Sequence, residues 1–191
     1  MSTLLLASED PSVAAPLRAI IESLPHEVLG EVTEPSQLNT EVVRLAPQVI
    51  IACAATPSRD LLDNLRALST SCPRPVVMFA SDPRRDVIRS AVEAGVSAYV
   101  VDGWAPERVT PIIEAACARF EAHEAVKKEL CATQHKLAER KVIEKAKGIV
   151  MQQRGLSEEH AYSALRKMAM DQNLALAEVA RRVIAVAHLL A

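Results

Sequence analysis

The charged groups of this 191-residue chain are unevenly placed. Residues 137–191 hold nine Arg and Lys against six Asp and Glu, a net +3, whereas residues 1–113 hold nine Arg and no Lys against fourteen acids, a net −5. A local positive excess suits a polyanion, because each phosphate contact releases condensed counterions, although ordinary helical surfaces also carry an excess of this size. Within the basic segment, Arg140, Lys141, Lys145 and Lys147 crowd one stretch and Arg166-Lys167 another, with the amides Gln152, Gln153 and Asn173 close by. Cysteine chemistry is thin. Cys53, Cys72, Cys117 and Cys131 lie far apart with no C-x-x-C pair, which argues against a thiolate metal site and a disulfide framework. No metal, no other cofactor and no catalytic residue is expected.

Half of the residues are apolar and 24% are charged, the balance of a globular protein with one large or two small domains. No apolar run reaches the length of a membrane span. The apolar Leu4-Leu5-Leu6 has no basic region before it and ends at Ser8-Glu9-Asp10, too soon for a signal peptide, so a cytoplasmic location is expected.

The elements that must position these groups alternate in the front half. Short apolar runs at 3–7, 28–32, 49–54, 75–80 and 98–101 read as strands. Helical spacing at 13–24, 36–45, 59–68 and 84–94, and again from Pro106, separates or follows them. Val49-Ile50-Ile51-Ala52 is apolar without alternation, as a strand buried on both faces of a parallel sheet requires. The expected fold is an α/β doubly wound parallel sheet of the flavodoxin-like, receiver-like kind. Its crevice lies at the carboxyl ends of the strands, near Ser8, Glu9, Cys53, Ala80 and Asp102.

The back half reads as helix throughout. From Pro106 to about Arg154 apolar residues recur every three or four positions, as one helix or two end to end. Over 120–137 this stripe is thin, with Lys127 and Gln134 interleaved, so the segment is expected to pair with a copy of itself as a short coiled coil, a solvated connector being the plainer alternative. Gly155 suits a left-handed helix end and Ser157 a cap for a second helix reaching about Met170. A third runs over about 176–190, and Ala146, Ala161, Ala164 and Ala180 let the three approach, with Gly148 also read as a packing residue. The expected organisation is a receiver-like domain at 1–113, a coiled-coil linker at 114–136 and a three-helix domain at 137–191.

The succession Leu4-Leu5-Leu6-Ala7-Ser8-Glu9-Asp10-Pro11, then Pro47-Gln48-Val49-Ile50-Ile51-Ala52-Cys53, Pro75-Val76-Val77-Met78-Phe79-Ala80-Ser81 and Ala94-Gly95-Val96-Ser97-Ala98-Tyr99-Val100-Val101 resembles the receiver domain of two-component response regulators. The resemblance implies an acid pair holding Mg²⁺, an Asp that accepts a phosphoryl group, a Ser or Thr and a Lys. The matching positions hold Ser8 with Glu9, Cys53, Ala80 and Asp102. An acyl phosphate needs a carboxylate nucleophile and a hard, oxygen-bound cation. Cys53 is a soft thiol, Asp102 adds negative charge where a cation is required, and no lysine precedes Lys127. Cys53 is therefore read as a degenerate phosphoacceptor position, buried and structural, and Glu9 with Asp10 as caps of the first helix.

A second resemblance covers about 137–190. Leu137-Ala138-Glu139-Arg140-Lys141-Val142-Ile143-Glu144-Lys145-Ala146-Lys147-Gly148-Ile149-Val150-Met151, with Arg154-Gly155, Ser157-Glu158-Glu159, Ala161-Tyr162, Leu165-Arg166-Lys167 and Ala169-Met170, resembles the ANTAR domain. Together the parts are similar to the AmiR/NasT antiterminators, leaning to the NasT type. That resemblance implies an RNA-binding homodimer, joined through its coiled coil. It would hold hairpin loops of a leader transcript against terminator formation and be controlled by release from an inhibitory NasS-type nitrate/nitrite sensor protein, not by phosphorylation. It implies no membrane partner. RNA loops present phosphates and unstacked bases. Arg140, Lys141, Lys145, Lys147, Arg166 and Lys167 are then the expected phosphate contacts, Lys147 and Arg166 foremost. Gln152, Gln153 and Asn173 are the expected base readers, with Tyr162 either stacking or core. A DNA-binding response regulator with a phosphorylatable receiver domain is the alternative.

Overall fold

The computed structural model describes residues 2–102 and 105–189. The chain divides into two compact units, Met1–Glu124 and Ala125–Ala191.

In the first unit the order is β1 (Thr3–Ser8), α1 (Pro11–Glu22), β2 (Glu27–Val32), α2 (Leu38–Leu45), β3 (Val49–Ala54), α3 (Arg59–Ser71), β4 (Val76–Ala80), α4 (Arg85–Glu93) and β5 (Ala98–Val101). The start of α5 (Pro106–Arg154) follows. The strands form one sheet in the order β2-β1-β3-β4-β5, with every pairing parallel. This is the doubly wound order in which the crevice opens between β1 and β3. Strand periodicity splits β3 between two cores. Ile50 and Ala52 join Leu5, Met78, Leu61 and Leu65 on one face, while Val49, Ile51 and Cys53 join Leu4, Leu6, Phe79, Leu17 and Ile113 on the other. That double burial is why β3 carries no polar residue.

Two helix starts differ from the sequence reading in detail. Asp10 caps α1 by accepting the Ser12 N–H, so the helix begins at Pro11 rather than 13. The segment expected as helix from 36 opens instead with a 3₁₀ turn at Pro35–Gln37 before α2.

The second unit comprises the end of α5 with α6 (Glu158–Asp171) and α7 (Leu176–Leu189). Its core is Ala146, Val150, Ala161, Leu165, Ala169, Val179 and Ala180. Gly155, at φ +64°, ends α5, and the Ser157 hydroxyl accepts the His160 N–H at the start of α6. α6 stops in a Schellman turn: Asn173 sits at φ +53°, its N–H reaches the Met170 carbonyl, and the Leu174 N–H reaches that of Ala169. Gly148 does not pack as expected, because it is exposed and a Cβ there would meet nothing within 4 Å. The expected end of the third helix at Leu190 lies outside the described residues. No helix among the described residues is long and apolar enough to cross a membrane.

α4 ends in the same kind of turn, with Gly95 at φ +98° and its missing Cβ directed at Ser69, where an added carbon would come within 2.8 Å of Cβ. Gly95→Ala combines left-handed strain with a clash. It is expected to cost about 1–3 kcal/mol of stability in denaturant unfolding, and a change below about 0.5 kcal/mol would show that α3 and α4 simply move apart.

Candidate nucleic-acid interface

The amphipathic end of α5 turns Ala146 and Val150 inward, which leaves Arg140, Lys141, Glu144 and Lys145 on the exposed side. Lys147 follows the buried Ala146 directly and is itself only 9% exposed. Its ammonium pairs with Glu144 one turn back and donates to Glu158 Oε1 at 2.7 Å across the helix break. The two carboxylates hold Lys147 above the usual lysine range, and Lys147 holds Glu158 below the usual carboxylate range. A lysine clasped by two acids has no net charge left for phosphate. Its geometry is that of a tie between α5 and α6, although its charge and position alone suggest a phosphate contact.

The other candidates fall differently. Arg140, Lys141, Arg166 and Lys167 are exposed and have no ion pair among the described residues. On α6, Tyr162, Arg166 and Met170 stand at i, i+4 and i+8, on one outer stripe. Tyr162 is 44% exposed and is therefore not the core ring that its type suggests. Gln152, Gln153 and Lys145 are exposed as well. Asn173 is exposed too, and the left-handed turn at its backbone already accounts for an Asn at that position. Arg181 and Arg182 share Glu178, at 3.1 and 3.6 Å.

The crevice of the first unit has the opposite character. Ser8 is buried and its hydroxyl donates to the Asp10 carbonyl, Asp10 is committed to capping α1, and Glu9 accepts the Ser58 hydroxyl at 2.6 Å. Cys53 is wholly buried, and burial, with a smaller contribution from Glu31, pushes its thiol up to about 12. It is a core atom, not a nucleophile. Mg²⁺ requires several convergent oxygens that are free to bind, and these residues do not offer them. Among the described residues no cluster of three His, Cys, Asp or Glu side chains could hold a metal.

The dominant charge in this crevice was not singled out from the sequence. Asp82, just after β4, is buried; the Arg84 guanidinium and backbone N–H donate to its carboxylate, as does the Thr56 hydroxyl. Those contacts, Arg84 first, hold its carboxyl far below the usual range. Tyr99 on β5 donates to the Asp82 carbonyl at 2.8 Å. The signal was present as Asp82-Pro83-Arg84 following an apolar strand, but nothing in the spacing shows the acid turning inward.

With the geometry of both units described, comparison with known proteins divides along the same line. Residues 132–184 match the ANTAR domain. The C-terminal unit contains an ANTAR domain. Over nearly the whole chain the sequence is similar to the transcriptional regulatory protein PdtaR of Mycobacterium tuberculosis, at 27% identity over 184 residues, covering 94% of this chain and 88% of that protein. A nitrate regulatory protein of Klebsiella oxytoca is 46% identical over 70 residues, 36% of this chain and only 18% of that protein. Among solved structures, the signal receiver domain of a modulated diguanylate cyclase from Desulfovibrio desulfuricans superposes with a TM-score of 0.57 at 19% identity, covering 64% of this chain and 98% of that one. The response regulator domain of Thermotoga maritima CheB gives 0.54 at 18%, covering 62% and 97%. At such identities these two establish the receiver-like fold alone.

The Lys147 tie makes the stability of the ANTAR domain depend on pH in a defined way. Glu158 lies below its ordinary 4.5, so its contribution stands above that pH and is lost as pH falls through the lowered value. Lys147 lies above its ordinary 10.5, so its contribution stands below that pH and is lost only as pH rises through the raised value. Lys147→Met is expected to lower the thermal midpoint by a few degrees, with a gap to the parent that stays constant from pH 6 to 9 and narrows in acid. A gap that varies across neutral pH would rule out this pair as its source.

Proposed function

We propose that the protein is an RNA-binding transcription antiterminator whose ANTAR domain holds hairpin loops of a leader transcript and so prevents a terminator from forming. The observation that carries this reading is the set of unpaired, exposed cations Arg140, Lys141, Arg166 and Lys167 together with an exposed Tyr162 one helical turn from Arg166, all within the ANTAR match. Cations without protein partners suit phosphates, and an aromatic face one helical turn from an arginine suits a base lifted off the stack. Lys145, Gln152, Gln153 and Asn173 belong to the same proposed surface, and Lys147 supports it from within. Homodimerisation runs through α5, where residues 125–138 are exposed all round and Val126, Leu130 and Leu137 stay more than half exposed. A helix that leaves such residues in water gains by pairing with a second copy.

Control in this reading comes from a ligand-sensing partner of the NasS type that binds the first unit, with nitrate and nitrite assimilation as the regulated process. The nitrate regulatory protein of Klebsiella oxytoca among the relatives supports that assignment. Phosphorylation has no part in it, since the crevice lacks a carboxylate acceptor and buries Cys53. The second reading, a DNA-binding response regulator, draws on the receiver-like fold and on the short helices α6 and α7, of a size to enter a major groove.

Gel-shift titration with a two-hairpin leader RNA across a salt series tests the choice. Arg166→Ala is expected to weaken binding several-fold and to reduce the salt slope by about one, while Lys147→Met leaves the slope unchanged. Duplex DNA at matched salt should compete poorly, and equal competition would favour the second reading. Incubation with acetyl phosphate and Mg²⁺ should leave the intact mass unchanged; a labile phosphate adduct would overturn the account of the crevice.

A further inference from the structure

The helices of the ANTAR domain leave a cavity of about 250 Å³ at the end of α5, against α6 and α7. Its floor is aliphatic, formed by Val150, Leu165, Met168 and Val183, and its rim carries Gln153, Arg154, Gln172 and Arg182. Among the described residues no acidic side chain lines it. Among the described residues the side chains of Gln153, Arg154 and Gln172 have no hydrogen bond or ion pair, and Arg182 has only the 3.6 Å contact to Glu178.

We propose that this cavity takes one unstacked nucleobase from a single-stranded loop of RNA. The inference rests on the RNA reading above and extends it from phosphate contact to base capture. Size is the first argument, since the volume falls below the roughly 300–1,000 Å³ of clefts that take whole small molecules. Composition is the second. A base is flat and weakly polar on its faces, which suits an aliphatic floor, and rich in donors and acceptors at its edge, which suits two amides that can each donate and accept. Charge is the third, because Arg154, unpaired among the described residues, with Arg182 only loosely held by Glu178, favours a ligand flanked by phosphates. An apolar side chain from a partner helix fits the floor equally well but leaves the amides and Arg154 unpaired as it covers them.

The test uses the full chain and a hairpin RNA in which each loop nucleotide is replaced in turn by an abasic one, with affinity read by fluorescence anisotropy. The parent should lose about tenfold at one loop position, the scale of a single stacked base. Ala164→Leu, which fills the cavity from α6, should lose a similar amount on the intact hairpin, with an unchanged salt slope and no further loss at that position. Gln153→Ala, on the exposed rim, should show a smaller loss confined to the same position, and it carries the test if circular dichroism shows Ala164→Leu to be unfolded. A parent indifferent to every abasic site, or a filled variant that binds as tightly as the parent, overturns base capture and leaves the RNA reading intact. So does a filled variant that changes the sedimentation of the protein, since the cavity would then hold a second copy. A parent that binds no hairpin at all refutes the RNA reading and this inference with it.

Discussion

The end of the long α5 and the two short helices α6 and α7 hold together only where their axes come close, and in the ANTAR domain that approach is made at Ala146, Ala161 and Ala180, none of which has exposed surface. Much of the unit follows from this contact. The larger apolar residues, Leu165 and Val179 foremost, fill the space beside the alanines, and the basic residues of α5 and α6 are turned outward by the helical repeat. Lys147, one position after an obligatory alanine, falls at the edge of the core and is satisfied by acids from both sides of the helix break. The cavity beside Leu165 belongs to the same packing, for small residues such as Ala164 and Ala187 line it and leave it unfilled.

In the receiver-like unit the governing constraint is a sheet covered on both faces. It makes β3 wholly apolar and drives the thiol of Cys53 into the core, where desolvation disfavours a thiolate. The same topology gathers the strand ends into a crevice. There the hydroxyl of Ser8 and the carboxylates of Asp10 and Asp82 are each bound by neighbouring protein groups.

How much of this was legible in the sequence differs from feature to feature. β3 and the alternation around it were readable because double burial leaves an unbroken apolar run, and the break at Gly155 and Ser157 because helix ends demand particular residues. The inward turn of Asp82 was not readable, since an acid followed by proline and arginine looks like any surface loop. Lys147 shows a related limit: charge is visible in sequence, but its pairing with Glu158, eleven residues on, depends on how two helices meet. Tyr162 lay between its two readings until its exposure was known. Gln172 and Arg182 gave no signal, because they face a common space only once α6 and α7 have packed.

The pair formed by Asp82 and Arg84 has a kinetic corollary. If the crevice is never phosphorylated, as the proposed reading has it, its covalently fixed charges leave nothing for hydrolysis to remove and no phosphatase clock to reset it. Under the proposed reading the response lasts as long as the inhibitory partner stays off, and its turn-on time is that partner's dissociation half-life.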